Sequence, residues 1–291
     1  MKIIKTLMLT VLSITLLVGC SSSNKPVIRV GSKNFTENEV LAEIYSLALE
    51  DAGFKVNRQF DISSSAVHTS IVNNKIDLYP GYTGTAYISI LGYTETVSGD
   101  EIYKIVKEEY KKKYKLEWLT KSPAQDSNGL AVSSKVSKKY GIKTISDLQK
   151  HASKLRVISQ GEFDKRADGI PGLTKVYGEF KFKSIKVYDN ALKYSLLDED
   201  KGDVIPAYTS EGQLTSSKYV LLEDDKHFWP DYNVAPIVRS DILKKYPKIA
   251  SILDPINKKL TTKDLQTLNK KVDIDKQDYQ DVAKEYYESL K

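Results

Sequence analysis

The sequence is poor in the residue types that most protein chemistry needs. Its 291 residues hold one cysteine, two tryptophans, two methionines and three histidines, at positions 68, 151 and 227. With one thiol there is no internal disulfide and no thiolate metal site. Three scattered histidines suggest no zinc site either. Arginine is also scarce, at positions 29, 58, 156, 166 and 239 only. The net charge of +6 is therefore spread mainly over single lysines. Phosphate clamping and base readout lean on arginine, so the mild basic excess does not point to nucleic acid. A Walker A loop, a G-x-S-x-G elbow and a G-x-G-x-x-G turn are all missing, and nothing in the sequence speaks for an enzyme or a cofactor. The acidic knot Asp198-Glu199-Asp200, with Asp203 nearby, reads as a solvated turn and not as a calcium loop. Hydrophobic residues at 41% and charged residues at 28% exclude a disordered chain, a collagen-like repeat and a multi-span membrane protein.

The N-terminus is a targeting segment. Lys2 and Lys5 precede an apolar run, Leu7 to Val18, too short to span a bilayer comfortably. The run ends Leu17-Val18-Gly19-Cys20, followed by three serines. This resembles a bacterial lipobox, and the single cysteine stands where the lipid would be attached. Residues 1–19 are expected to be a lipoprotein signal peptide and 20–26 a polar leash. Acylation of Cys20 would then tether the protein to the extracytoplasmic face of the cell membrane and leave its fold to rest on packing alone.

Strand-like and helix-like segments alternate along the rest of the chain. Ile28 to Gly31, Phe54 to Ile62, Ile76 to Tyr79 and Leu116 to Leu119 read as strands. After a restart they are followed by Leu130 to Ser133, Leu155 to Ser159, Ile185 to Tyr188, Val204 to Tyr208, Val220 to Glu223 and Asn233 to Arg239. Two S/T-x-x-E patterns, Thr36 to Glu39 and Ser98 to Glu101, read as capping boxes that open helices. The stretch from Asp241 to Leu290 is helical by periodicity. No repeat at a spacing of 20–50 residues and no low-complexity segment is visible. Such alternation predicts two α/β lobes with mostly parallel sheets.

Nineteen residues are tyrosine. Three of them fall at strand ends or in loops, where α/β proteins build ligand sites: Tyr82 in Pro80-Gly81-Tyr82-Thr83-Gly84-Thr85, Tyr208 before Thr209, and Tyr232 after Trp229-Pro230-Asp231. Several ring faces converging on one point can hold a quaternary ammonium. That cation has no N–H to donate, so ring quadrupoles and shape must select it.

At this point a family resemblance becomes specific. Gly31-Ser32-Lys33-Asn34-Phe35-Thr36-Glu37 resembles the opening motif of the solute-binding proteins of quaternary-amine (glycine betaine, carnitine, choline) ABC transporters. Asp77 to Thr85 is similar to their next block. Ser146-Asp147-Leu148 and Gly161 to Leu173 are similar to the second-lobe signature, and Tyr208-Thr209 and Tyr232 to Pro236 to the last two. The resemblance covers residues 27–290, with the blocks in the family's order. It implies a two-lobed periplasmic-binding fold of type II, with residues 27–124 and 233–291 in lobe 1, 125–232 in lobe 2 and the ligand between them. It also implies that Tyr82, Tyr208 and Tyr232 are cage tyrosines, that Thr85 is a polar ligand contact, and that Lys33 and Arg166 hold the ligand's carboxylate. The implied partners are a quaternary-ammonium ligand, an ABC permease and its cytoplasmic ATPase, with the binding protein itself a monomer. An arginine fork suits a carboxylate, although Glu162 or Asp168 could instead pair with Arg166. Two departures stand out. Asn128 occupies a position where the family usually has a tyrosine, and Gly81 one where it usually has an acid. Both suggest a roomier or more polar pocket, fitted to a betaine bulkier than glycine betaine, such as carnitine or ergothioneine, or to a ligand that hydrogen-bonds Asn128. The competing readings are a binding protein of the same fold for another small zwitterion or amino acid, and an exported lipoprotein enzyme.

Overall fold

The structure is a computed structural model that describes residues 25–95, 97–161 and 163–291. Cys20 and the segment before it lie outside the described residues, as does Glu162. The strands are β1 (Val27–Lys33), β2 (Lys55–Ile62), β3 (Leu78–Tyr82), β4 (Leu116–Trp118), β5 (Asn128–Ser133), β6 (Arg156–Ser159), β7 (Ser184–Val187), β8 (Val204–Tyr208), β9 (Tyr219–Leu221) and β10 (Val234–Arg239). They form two five-stranded sheets, ordered β2-β1-β3-β10-β4 and β7-β6-β8-β5-β9. β1 pairs in parallel with β2 and β3, while β10 runs antiparallel to β3 and β4. The second sheet repeats the plan, with β6 parallel to β7 and β8, and β5 antiparallel to β8 and β9. Each sheet is thus mixed. One reversed strand stands among four of common direction, and in both sheets that strand adjoins a crossover between the sheets.

The two central strands carry the same sequence pattern. Lys75-Ile76-Asp77-Leu78-Tyr79-Pro80-Gly81-Tyr82-Thr83 and Lys201-Gly202-Asp203-Val204-Ile205-Pro206-Ala207-Tyr208-Thr209 share Lys-x-Asp-x-x-Pro-x-Tyr-Thr. The copies lie much farther apart than the spacing of a repeat protein, so a search at short period misses them. At the entrance of each strand the aspartate closes on an arginine of the neighbouring strand. Asp77 accepts from the Arg29 amide at 2.9 Å and from its guanidinium at 2.6 and 3.0 Å. Asp203 accepts from the Arg156 amide at 2.9 Å and its guanidinium at 2.8 and 3.0 Å. A proline in a central strand usually breaks the ladder. Here Pro80 stands opposite Pro236 in the β3–β10 register. Their carbonyls turn outward, Pro80 O accepting from Asn38 Nδ2 at 3.0 Å and Pro236 O from the Leu119 amide at 3.0 Å. At such a non-bonded position neither missing N–H costs a bond between the two strands.

Helix α1 (Thr36–Asp51) follows β1 and is buried along most of its length, with Leu41, Ile44 and Tyr45 in the core. Its start differs from the sequence expectation. The N-cap is Phe35, with no side-chain cap, because Thr36 Oγ1 is drawn away to Asp273 at 2.6 Å. Ser98 does cap its helix, accepting from the Glu101 amide at 3.3 Å. The acidic knot is occupied by ordinary partners: Asp198 accepts from Tyr219 and Lys218, and Asp200 from Lys135. No group of residues suited to a metal occurs among the described residues.

Candidate functional site

The site is built where β3 and β8 end. Lys33 closes β1 with its side chain buried, and its ammonium lies 4.7 Å from the ring centroid of Tyr82 and 5.8 Å from that of Phe35. Among the described residues no carboxylate is within ion-pair distance of it. Burial lowers its pKa to about 8; Asp126 and Glu37 resist that fall, and Arg166 adds to it. Lys33 is fixed from behind by Asn38, whose Oδ1 accepts from the Lys33 amide at 2.7 Å and whose Nδ2 reaches the Tyr82 hydroxyl at 3.3 Å. The Tyr82 hydroxyl itself donates to Glu37 at 2.9 Å. Thr85, one turn beyond Tyr82, lines a small cavity together with Lys33 and Tyr82.

Arg166, Asn128 and Tyr232 meet on Asp168, which is only 4% exposed. Arg166 donates to both its oxygens, Nε at 2.7 Å and Nη2 at 2.5 Å. Asn128 Nδ2 donates to Asp168 at 3.3 Å and to the Tyr232 hydroxyl at 3.2 Å, and that hydroxyl donates to Asp168 at 3.3 Å. The Trp229 indole N–H holds the Asp168 carbonyl at 2.7 Å. Arg166 is held still more firmly protonated by Asp168, and it lies within electrostatic reach of Tyr208 and Tyr232. Tyr208 stands opposite Asn128 in the β5–β8 register. One face of its ring is taken by the ammonium of Lys193, 5.4 Å from the centroid and paired with Glu211.

The structure therefore gathers Lys33, Tyr82, Thr85, Asn128, Arg166, Tyr208 and Tyr232 around one junction of the two sheets. In this arrangement Arg166 pairs with Asp168, the alternative that the sequence left open, and its Nη1 has no hydrogen bond among the described residues. One expectation is corrected. Gly81 does not make the pocket roomier, because a Cβ there would lie 2.3 Å from Ile237 Cδ1 and 3.2 Å from Trp118. The space of an absent side chain is already filled by Ile237, which with Gly81 lines the small cavity beside Lys33, Tyr82 and Thr85. Sequence reasoning did not single out Asp126 and Glu37, and it met Asp168 only as a possible partner of Arg166. The local sequence around an acid carries no signal of which way its side chain faces.

Gly84 sets the position of Tyr232. A Cβ at Gly84 would lie 2.6–2.7 Å from three atoms of that ring, so backbone packs directly on the ring face. Gly84→Val is expected to lower stability by about 1–3 kcal/mol through overpacking. It should also lower ligand affinity by pushing the Tyr232 hydroxyl off Asn128 and Asp168. Chemical denaturation and calorimetry on the same variant read both effects.

The profile of the OpuAC family, described as the substrate binding domain of ABC-type glycine betaine transport system, matches residues 26–289. A Helicobacter pylori protein named ergothioneine transport permease/ergothioneine binding protein EgtU is 32% identical over 268 residues, 91% of this chain and 48% of that one, so this chain spans about half of that relative. The carnitine transport binding protein OpuCC of Listeria monocytogenes is 27% identical over 93% of this chain and 89% of its own length. Among solved structures, apo YehZ from Escherichia coli superposes with a TM-score of 0.71 at 26% identity, covering 91% of this chain and 98% of that one.

Proposed function

The chain belongs to the OpuAC family of substrate-binding domains of ABC-type glycine betaine transport systems, a family of binding proteins and not of enzymes, and from that premise we propose that it captures a betaine outside the cytoplasm and delivers it to a membrane permease. The observation that supports this reading is that Tyr82 lies against the Lys33 ammonium while Tyr208 and Tyr232 lie within electrostatic reach of Arg166. Rings suit the quaternary ammonium, and the two cations suit the carboxylate at the other end of a betaine. Asn128 supports a ligand bulkier than glycine betaine. It supplies an amide where a fourth ring would stand, and an amide hydrogen-bonds a polar substituent. Carnitine and ergothioneine both meet that description, and relatives named for each match this chain.

A thermal-shift panel of glycine betaine, carnitine, ergothioneine, choline and free amino acids tests the reading, since a saturating ligand adds stability as RT ln(1 + [L]/Kd). A betaine should give the largest shift. The reading fails if an amino acid without a quaternary ammonium shifts the protein most. Within the cage, Tyr→Ala at positions 82, 208 and 232 should weaken betaine binding more than Tyr→Phe, because phenylalanine keeps the ring face and loses only the hydroxyl. Each lost face is expected to cost about 0.5–2 kcal/mol in titration calorimetry.

We also propose that Cys20 carries the lipid that keeps the protein at the membrane surface. The motive is the run Leu17-Val18-Gly19-Cys20. Cys20→Ala should move the protein from the membrane pellet to the soluble fraction, and mass spectrometry should find acyl groups on the wild-type residue alone.

A further inference from the structure

The two lobes also touch along the helix Thr262–Asp273. That helix packs on α1 and so belongs with the first sheet. The segment laid against it, Thr209 to Gly212, continues β8 of the second sheet and runs into a short helical turn, Gly212–Thr215. The contacts proceed outward from the crossover. Thr262 Oγ1 accepts from the amide of Gln125, in the crossover itself, at 3.0 Å. One turn on, Gln266 Nε2 donates to the Thr209 carbonyl at 2.9 Å. A further turn on, Asn269 Nδ2 donates to the Ser210 carbonyl and to Glu37 on α1, each at 2.9 Å. Last, Gly212 lies on the backbone of Lys270, where a Cβ would stand 2.5 Å from its amide nitrogen and 2.6 Å from its Cα.

Two properties suit this contact to opening and closing. Its bonds run from side-chain amides to carbonyls, while Leu265 and Leu268 of the same helix are spent on the core. Lifting the segment away therefore exposes little apolar surface, and water can take over the freed donors and carbonyls. Water would also reach Asn269 Oδ1, which is buried without a partner among the described residues while the segment is down. The second property lies in Gly212. Its backbone is not left-handed, so its dihedrals would admit any residue. Only the nearness of Lys270 excludes a side chain there, and that nearness is a property of how the lobes stand to each other.

We propose that this contact is a latch for the closed form: Thr209 to Gly212 seats on the helix when the lobes close round a ligand and lifts off when they part. Gln266 and Gly212 are then positioning residues. They set affinity without touching the ligand, because a binding protein holds its ligand only as well as its closed form is populated. Gly212 fixes how near the lobes come. Asn269 carries closure to the cage, since its amide ties the Ser210 carbonyl of one lobe to Glu37 of the other, and Glu37 accepts from the Tyr82 hydroxyl at 2.9 Å. The proposal rests on the betaine reading above for the compounds that drive closure.

The test titrates glycine betaine, carnitine and ergothioneine into wild type, Gly212→Ala and Gln266→Met, with dissociation rates from stopped flow and melting temperatures taken with and without ligand. Gly212→Ala should weaken every compound that wild type binds by about tenfold, the effect of one overpacked methyl. Gln266→Met should weaken them by about threefold, the effect of one hydrogen bond. The loss should appear as faster dissociation, with association and the ligand-free melting temperature close to wild type, because only the closed form is harmed. In hydrogen exchange, the tightest-binding of the three compounds should protect the amides of residues 210–215 in wild type and protect them less in Gly212→Ala. The latch is overturned if the ligand-free melting temperature falls as far as that of the complex, since the contact is then permanent. It is equally overturned if neither variant changes affinity, if the loss differs between compounds, or if exchange at 210–215 ignores ligand in wild type. Should Gly212→Ala not fold, Gln266→Met carries the test. If wild type binds none of the three compounds, the betaine reading falls and the latch with it, whereas failure in the variants alone leaves that reading standing.

Discussion

Replacing Arg166 with methionine is expected to lower the affinity for a carboxylate-bearing betaine by about 2–3 kcal/mol, the lower part of the range for a buried charge pair that loses one member, because the arginine side chain is 37% exposed, while leaving choline little changed. The guanidinium spends Nε and Nη2 on Asp168 and keeps Nη1 for a further acceptor. A ligand carboxylate arriving beside Lys33 would complete its fork. Choline has no such group and would leave the Lys33 ammonium unpaired in a closing cleft, which is costly. The substitution also strips buried Asp168 of its partner, so a loss of stability accompanies the loss of binding. The double variant Arg166→Met with Asp168→Asn separates the two effects. Its melting temperature should recover, because an amide needs no counter-charge, while betaine affinity should not. Calorimetry that finds glycine betaine bound within about threefold of wild type would make Arg166 merely the mate of Asp168.

The second large effect is expected far from the cleft. Asp77 is 2% exposed and faces two arginines, Arg29 at 2.6 Å and Arg239 at 3.3 Å. Asp77→Ala removes the carboxylate that both guanidiniums share and leaves the Arg29 amide at the head of the strand without an acceptor. Breaking a fully buried ion pair costs about 3–5 kcal/mol. Arg29 is partly solvated, so a loss of about 2–3 kcal/mol is expected here. The equivalent change Asp203→Ala should cost less, since Asp203 is less deeply buried. Urea unfolding of the two variants gives the ranking, and a larger loss at Asp203 would contradict it.

Most of the fold was legible in the sequence, because period-2 and period-3.6 patterns are written in single residues. All ten strands coincide with segments read from alternation and turn residues, with ends shifted by at most three residues. The start of α1 was not legible. Thr36 has the local sequence of a cap, but Asp273, on a helix near the other end of the chain, competes for its hydroxyl, and no local pattern carries that contact. At the site, residues in motifs and at strand ends could be named from sequence. The direction of a side chain could not. Gly81 looked like added space until Ile237 and Trp118 were seen filling it. Asp126 gave no hint of itself, because the groups around it come from four other segments. The matching patterns of β3 and β8 were missed because they lie in different lobes, far beyond the period at which repeats are usually sought.

Those patterns act as a duplicated ruler. In each sheet an ion pair anchors the strand at one rim and a tyrosine ends it at the other, five residues on, from Asp77 to Tyr82 and from Asp203 to Tyr208. At about 3.4 Å per residue the two run lengths are equal, near 17 Å. The two equal lengths set Tyr82 and Tyr208 at the same distance from their anchors before any loop contributes. The rims, and not the loops, then keep the two tyrosines in step, so damage to an anchor should be felt as a misplaced ring. That frame leaves out Asp126 and Tyr232, on the segments that cross between the sheets, and Asn128, at the start of β5. Substitutions there can retune the choice of ligand while the frame that measures the pocket stays as it is.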